Sequence, residues 1–211
     1  NNTVTTTNSG IAKFTNSGLL TVGSTADMTL DGGFTQEGTG LVSLAGDITT
    51  SSDNISFASG VTLSGGASLD TGSGGGDILF SDSVDGANAL ALTTGTGDAT
   101  FTGTVSGLTG LTIDTGGTLT TTSSLSVLGD VSLKVNAIDL GSTLNAGTGD
   151  VLIAGRSGRS MSVGTDTSND IQISNAELLN ITAGSLRLET VGQDIKVAGL
   201  MTTDLLGIDS E

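Results

Sequence analysis

Residues 54–63 (NISFASGVTL), 77–86 (DILFSDSVDG) and 98–107 (DATFTGTVSG) repeat one pattern that decides the fold. In each segment the second and fourth residues are apolar, and the residue between them varies. Apolar residues at every second position are typical of a short strand with one buried face. The pattern therefore predicts short strands that recur every twenty-odd residues.

The pattern extends along most of the chain, in segments that begin at Asn54, Asp77, Asp98, Asp130, Asp150, Asp170 and Asp194. The first apolar column reads Ile55, Ile78, Ala99, Val131, Val151, Ile171 and Ile195. The second reads Phe57, Phe80, Phe101, Leu133, Ile153, Ile173 and Val197. Recurrence at 23, 21, 32, 20, 20 and 24 residues indicates a repeat architecture. We expect both columns to point inward and to stack as continuous ladders.

Each repeat holds about three apolar islets, separated by Gly, Ser, Asn or Asp. In 55–77 these islets are 55–57, 61–63 and 67–69. Three strands per coil predict an all-β fold, a single-stranded parallel β-helix with about 20 residues per coil and about nine or ten coils. The 32 residues from Asp98 to Asp130 predict either a coil with an inserted loop or a coil plus a partial one. We treat 1–211 as one β-helix repeat segment of a longer protein, with the register clearest in 54–200.

Composition excludes several classes of protein. The net charge of −16 and only six basic residues argue against nucleic acid as a partner. Without cysteine or histidine the chain has no disulfide, no thiolate site and no usual zinc ligand. No apolar run approaches the roughly 20 residues needed to span a bilayer, so we expect no membrane insertion. Proline is absent too, as expected of strands paired on both edges.

The aspartates that open the repeats are the main candidates for a chemical role: Asp77, Asp98, Asp130, Asp150, Asp170 and Asp194. Stacked ~4.8 Å apart, neighbouring carboxylates would repel by about 0.9 kcal/mol in water, so they need solvent, amide donors or cations. One hypothesis is a ladder of calcium sites. The favoured one is a turn residue at a single corner of the solenoid, whose carboxylate accepts a local amide hydrogen bond. We therefore predict no metal site.

Three other motifs favour structural interpretations. Residues 72–80 (GSGGGDILF) partly match a glycine-rich calcium repeat but lack tandem copies. Thr-x-Thr runs at 100–104 and 118–122 could form an ice-binding array, although the β-propensity of Thr explains them better. The loop 155–160 (GRSGRS) could engage an anionic glycan through Arg156 and Arg159, although a solvated turn is favoured. No acid–base constellation is present, so we predict no catalytic residue, no cofactor and no enzyme activity.

The block 55–105, the segment 141–155 (GSTLNAGTGDVLIAG) and the run 173–200 (ISNAELLNITAGSLRLETVGQDIKVAGL) resemble the repeats of giant bacterial adhesins of the filamentous-haemagglutinin type. The resemblance covers most of 54–203. It implies a right-handed parallel β-helix, export across a Gram-negative outer membrane by two-partner secretion or an autotransporter route, and display at the cell surface. It carries over no binding residue, because such repeats form the shaft.

The sequence thus predicts a structural shaft or adhesive repeat segment of a secreted, cell-surface adhesin. Expected partners are neighbouring repeats of the same chain or fibre, host or other cell surfaces, and glycans. One alternative is a self-assembling extracellular fibre subunit, since an excised segment exposes unpaired strand edges. A second alternative is a glycan-binding or glycan-cleaving β-helix.

Overall fold

A computed structural model describes residues 3–200 and confirms the predicted fold class. The first nine strands are β1 (Val4–Thr5), β2 (Ala12–Thr15), β3 (Leu20–Val22), β4 (Met28–Leu30), β5 (Phe34–Glu37), β6 (Val42–Leu44), β7 (Ile48–Thr50), β8 (Ile55–Phe57) and β9 (Val61–Leu63). The next nine are β10 (Ala67–Asp70), β11 (Ile78–Phe80), β12 (Val84–Asp85), β13 (Ala89–Thr94), β14 (Ala99–Phe101), β15 (Val105–Leu108), β16 (Gly110–Thr115), β17 (Thr118–Thr121) and β18 (Leu125–Val127). The remaining elements are β19 (Val131–Val135), β20 (Ala137–Leu140), β21 (Leu144–Asn145), β22 (Asp150–Gly155), β23 (Met161–Gly164), β24 (Ile171–Ser174), α1 (Asn175–Leu179), β25 (Ile181–Thr182), β26 (Ser185–Glu189) and β27 (Ile195–Ala198).

The strands form three parallel sheets that run along one axis, so the fold is a parallel β-solenoid. Sheet A contains β1, β4, β7, β10, β13, β16, β19, β22 and β26; sheet B contains β2, β5, β8, β11, β14, β17 and β20; sheet C contains β3, β6, β9, β12, β15, β18, β21 and β25. Each strand thus pairs with the strand one coil away. About seven turns of about 21 residues result, so the expected nine or ten coils is too many, although sheet A has nine strands.

All five phenylalanines of the chain form one ladder inside sheet B. The ring centroids of Phe14, Phe34, Phe57, Phe80 and Phe101 follow one another at 5.7, 5.1, 5.2 and 5.1 Å. The exposed fractions of Phe57, Phe80 and Phe101 are 0, 1 and 1 %, which confirms that these residues point inward. Parallel stacking at one-coil spacing brings identical side chains into contact, and aromatic pairs add stability beyond the area they bury.

Gln36 interrupts the phenylalanine column, where its register partners are Phe14 and Phe57. Its side chain is buried, and its amide Nε2 donates to Asn16 Oδ1 at 2.7 Å. Its Oε1 accepts from the backbone N–H of Ala58 at 3.0 Å, one coil further on. Phe34, two positions earlier, supplies the missing ring from the adjacent inward column. A buried amide is tolerated here because it is hydrogen-bonded to three successive coils.

A second internal ladder consists of Thr50, Thr71, Thr94 and Thr115, all buried where sheet A turns towards sheet B. Each hydroxyl donates to a backbone carbonyl of that corner, as Thr71 Oγ1 does to Gly76 O at 2.7 Å. Corner carbonyls have no strand partner, and a buried unpaired carbonyl is costly. The threonines therefore stabilise the corner loops from inside the core.

The aligned segments do not form one structural column, which corrects the alignment made from sequence. Ile55, Ile78 and Ala99 pair with one another in sheet B, whereas Val131 and Val151 pair in sheet A. The 32-residue interval is therefore a change of sheet, and neither an inserted loop nor a partial coil is present there. Leu119 lies 20 residues after its partner Ala99, the ordinary coil length. An apolar alternation after Gly and Asp precedes strands of both sheets and cannot distinguish them.

The row 151–170 is not a separate coil, contrary to the sequence alignment. Val151 pairs with Leu186, 35 residues later, while Ile171 pairs with Met161, only ten residues away. The extra residues form β23 and β24, which join β27 in a small sheet ordered β24-β23-β27. β24 packs beside β20 of sheet B, although the two strands belong to separate sheets. The chain thus places an additional strand on the sheet B side of the stack.

Helix α1 occupies the next corner, in a stretch that is too short to form a stable helix alone. Ser174 is its N-cap, and Ser174 with Glu177 forms a complete capping box. The other oxygen of the Glu177 carboxylate accepts from the backbone N–H of Leu140 at 3.2 Å. Since Leu140 ends β20, Glu177 connects the helix to the last strand of sheet B.

The loop 165–170 covers the outer surface of β23, so all four residues of that strand are buried. Asn169 Nδ2 donates to the carbonyl of Met161 at 2.7 Å, and Gln172 Nε2 donates to Thr167 O at 3.1 Å. Lys196 of β27 pairs with Asp166. Its hydrogen bond, together with donors from Ser168, lowers the pKa of Asp166 to about 2. The loop is therefore held to the stack partly by a titratable ion pair.

Replacing Phe80 by Ala should lower the free energy of unfolding by about 3–5 kcal/mol, because it removes a fully buried ring from the middle of the ladder. Leu79→Ala is the matched control: Leu79 is the adjacent residue, points outward and is 36 % exposed. Its loss should cost much less. Urea unfolding of the two variants tests the register, and an unchanged midpoint for Phe80→Ala would contradict it.

Acid should release the loop 165–170. The pKa of Asp166 is depressed in the folded state, so its contribution is present above its ordinary value of 3.8 and is lost as the pH falls towards about 2. The nearby pKa of Asp170 is also lowered, by Ser160 and by Arg159, so both carboxylates act in the same direction. Amide hydrogen exchange in 165–170, corrected for intrinsic rates, should rise between pH 5 and pH 2.5. The variant Asp166→Asn should exchange fast already at pH 5; equal protection at both pH values in the parent would contradict the assignment.

Candidate interaction surface

The aspartates before the sheet B strands hydrogen-bond from coil to coil. Asn54 Oδ1 accepts from the backbone N–H of Asp77 at 2.8 Å, and Asp77 Oδ1 accepts from Asp98 N–H at 2.8 Å. Asp98 Oδ1 continues the series to Thr118 N–H at 2.7 Å. The predicted amide acceptor role is therefore confirmed, but the amide belongs to the next coil and not to the local turn. Backbone donors spaced one coil apart offset the repulsion among the carboxylates.

The remaining aspartates lie elsewhere, so the expectation of a single corner is wrong. Before sheet A, Asp130 Oδ1 accepts from the N–H of Asp150 at 3.0 Å, and Asp150 accepts from the Ser185 hydroxyl at 2.7 Å. Asp170 accepts from the backbone and hydroxyl of Ser160, outside the three main sheets. Asp194 precedes β27 and lends its backbone carbonyl to Met161 N–H. Within residues 3–200 no group of three or more acidic side chains has the arrangement of a metal site.

The glycine-rich motif at 72–80 is a single corner loop between β10 and β11. Asp70 Oδ1 accepts from the N–H of Gly72, whose φ is +75°. A side chain at Gly76 would place its Cβ 2.5 Å from the carbonyl oxygen of Asp53, so glycine is required there by the approach of the preceding coil. Packing between coils explains the glycines of this motif without a bound ion.

The threonine runs do not form a regular array on the surface. Thr100 and Thr120 are neighbours in the outward column of sheet B. That column reads Lys13, Thr35, Ser56, Leu79, Thr100, Thr120 and Asp139. Leu79 on one side and Asp139 on the other end the pair. A flat threonine face of the kind that an ice-binding surface needs is not formed by this column.

Both arginines of the loop 155–160 are engaged within the protein. Arg156 Nη1 lies 2.9 Å from Asp114 Oδ1 and donates to the carbonyls of Thr94 and Gly95 at 3.3 Å, about 60 residues earlier in the chain. Arg159 pairs with Asp170 at 3.0 Å. The loop therefore acts as a clamp across several coils, which favours the solvated-turn interpretation over an anion site.

The outward face of sheet A carries a groove that was not predicted from the sequence. We call it the sheet A groove; it has a volume of about 480 Å³ and is lined by Asp47, Gly66, Ala67, Ser68, Ala89, Leu90, Ala91, Thr109, Gly110, Leu111, Thr112, Asp130 and Ser132. Its floor consists of small side chains in register, since Ser68 pairs with Ala91 and Ala91 with Thr112. Asp47 lies at one end and Asp130 at the other, four coils apart, or ~19 Å.

A larger depression of about 760 Å³ lies on the last coils, where Lys134, Leu152 and Glu189 face the corner loop 190–192. Leu152 is the large apolar residue in an outward column that elsewhere contains Ser68, Ala91 and Thr112. The depression continues onto Ile195 at the open end of the stack. It is therefore partly a consequence of where residues 3–200 end.

Comparisons of the chain with family models, with curated proteins and with solved structures each found no match. Within residues 3–200 no helix has the length and apolarity needed to cross a membrane. The class of protein that the structure defines is the parallel β-solenoid, with three strands in each regular turn.

The sheet A groove could have been found from spacing. Its small residues recur at the coil period, as Gly66, Ala89 and Gly110 in one column and Ser68, Ala91 and Thr112 in the next. Aligning only the sheet A strands displays both columns. The alignment on Asp residues hid them, because it joined segments from different sheets.

Removing divalent cations should leave the melting temperature unchanged, since the Asp columns are satisfied by backbone amides. Added monovalent salt should raise the melting temperature modestly by screening the net charge of −16. Thermal unfolding with and without a chelator, at fixed ionic strength, measures the first effect. A chelator-induced drop of more than about 10 °C would show that the columns bind metal.

Proposed function

We propose that this chain is a structural shaft segment of a secreted, cell-surface adhesin, which extends or presents binding surface away from the cell. The observation that carries the proposal is the uninterrupted stacking of sheets A and C along one axis over residues 3–200. Each coil contacts its neighbours above and below, so stability is approximately a sum of nearest-neighbour terms and length can be added without a new core. Such a design suits a spacer.

The outer surface supports an adhesive contribution that is spread along the rod. Polar Ser and Thr alternate with the buried ladder residues on all three sheets, while every phenylalanine is used inside. Compact binding hot spots are typically built around exposed aromatic anchors. Weak contacts repeated along a rod sum through multivalency instead. Export to a Gram-negative cell surface and the absence of catalysis belong to the same proposal and are supported by the resemblance of the repeats.

A self-assembling fibre subunit is the second candidate, and the exposed ends of the stack favour it. Ile195 and Val197 of β27 continue the inward columns of Met161 and Val163, but their exposed fractions are 39 and 57 %. At the opposite end Val4 of β1 is 42 % exposed. Parallel strands with unpaired edges at both ends could add further copies head to tail.

Size and shape of the isolated chain separate the two candidates. Sedimentation velocity from 1 to 100 µM, about two decades, should show an elongated monomer at every concentration if the chain is a shaft. Growth with concentration into longer species would favour the fibre subunit, and Val197→Lys should then abolish the growth. As a control, Ser106→Lys makes the same charge change on sheet C and should leave the size distribution unaltered. A compact, globular frictional ratio would contradict both.

A further inference from the structure

The sheet A groove differs from the rest of the surface in the reason for its glycines. Gly97, at a corner, could not bear a side chain, because a Cβ there would lie 2.1 Å from the carbonyl oxygen of Gly76. At Gly66 and Gly110 a Cβ would meet nothing closer than 3.8 and 3.7 Å, and neither residue has a positive φ. Neither packing nor backbone conformation therefore requires glycine at these two positions. Small residues there keep the floor open, and glycine in strands often marks close approach by another backbone.

The charge around the groove has one sign. From residue 14 to residue 133 the chain contains no Lys or Arg, but it contains Asp27, Asp31, Glu37, Asp47, Asp53, Asp70, Asp77, Asp82, Asp85, Asp98, Asp114 and Asp130. Asp47, Asp70 and Asp130 frame the groove, and each uses Oδ1 to accept a backbone N–H. Among residues 3–200 none of these three forms an ion pair. Each keeps an oxygen for an external cation.

We infer that the sheet A groove binds an extended, Lys- or Arg-containing polypeptide segment of another protein, lying along the rod axis. Its backbone would approach the floor at Gly66, Ala89 and Gly110, and its cationic side chains would reach the framing carboxylates. About six extended residues span the ~19 Å between Asp47 and Asp130. The strongly acidic surface would also steer a basic partner towards the rod. The inference rests on the proposed function and deepens it by naming a class of partner.

A second copy of the chain is a less suitable occupant, because its basic residues are already committed. Five of the six cations lie between 134 and 196, and each of these five is paired with a carboxylate. Two copies would also bring two net charges of −16 together. Charge complementarity thus favours a separate basic segment.

The test uses the full chain and a fluorescent octapeptide of alternating Lys and Gly, with the Glu–Gly octapeptide as the probe of opposite charge. Binding is followed by fluorescence anisotropy at two salt concentrations. Gly110→Val adds bulk to the floor without changing charge, and Ser106→Val is its control on an exposed position of sheet C. Asp47→Asn with Asp130→Asn removes two framing charges and keeps the Oδ1 acceptors. Asp82→Asn with Asp85→Asn removes the same charge elsewhere.

The Lys–Gly peptide should bind the parent chain, and each groove variant should weaken binding about tenfold while each control changes it less than about twofold. The Glu–Gly peptide should not bind. Equal loss in the two aspartate pairs would reduce the effect to diffuse attraction and overturn the inference, as would absence of Lys–Gly binding. Self-association of the chain that Gly110→Val abolishes would show that a second copy occupies the groove. Sedimentation of the same samples reports the rod separately, so a failed groove leaves the shaft proposal intact, and a compact shape would refute the shaft alone.

Discussion

The parallel hydrogen-bond ladder between coils is the constraint on which the rest of this structure depends. It fixes neighbouring coils at ~4.8 Å, so each inward side chain lies on the side chain one coil before and after it. A residue is therefore compatible with the fold only if it can stack on its neighbours. The ring ladder satisfies this condition even at Gln36, because Phe34 shifts the aromatic series to the adjacent column. The polar substitute is in turn satisfied by amides and carbonyls of three coils.

The same spacing determines the chemistry of the corners. Loops between sheets lack strand partners, and they meet the loops of the next coil at the ladder distance. Carboxylates and side-chain amides outside, and threonine hydroxyls inside, complete the hydrogen bonding there, as Asp77 and Thr71 do on the two sides of one corner. Corner glycines such as Gly76 permit the close approach. The abundance of Asp, Thr and Gly in this sequence thus follows from corners repeated in every coil, and needs no ligand to explain it.

Sequence patterns sufficed for the fold class, the coil length and the buried phenylalanines, because alternation and period are local properties. They did not suffice for the assignment of strands to sheets. Asp98 and Asp130 open similar segments, yet one precedes sheet B and the other sheet A. The strand pair β23–β24 also escaped detection, because Ile171 and Ile173 have the expected alternation and differ only in their partners. The sheet A groove depends on register across five strands, which becomes visible only once the sheets are separated.

The additional strand at β24 has a mechanical consequence. Across that junction sheet A remains hydrogen-bonded through β22 and β26, and sheet C through β21 and β25. Sheet B ends at β20, and β24 begins a separate sheet. Tension applied along the axis is therefore transmitted at this level by two of the three walls, off the centre of the cross-section. An off-centre load produces a bending moment, so the rod would flex and open first on the side of Glu177, whose bond to Leu140 bridges the gap.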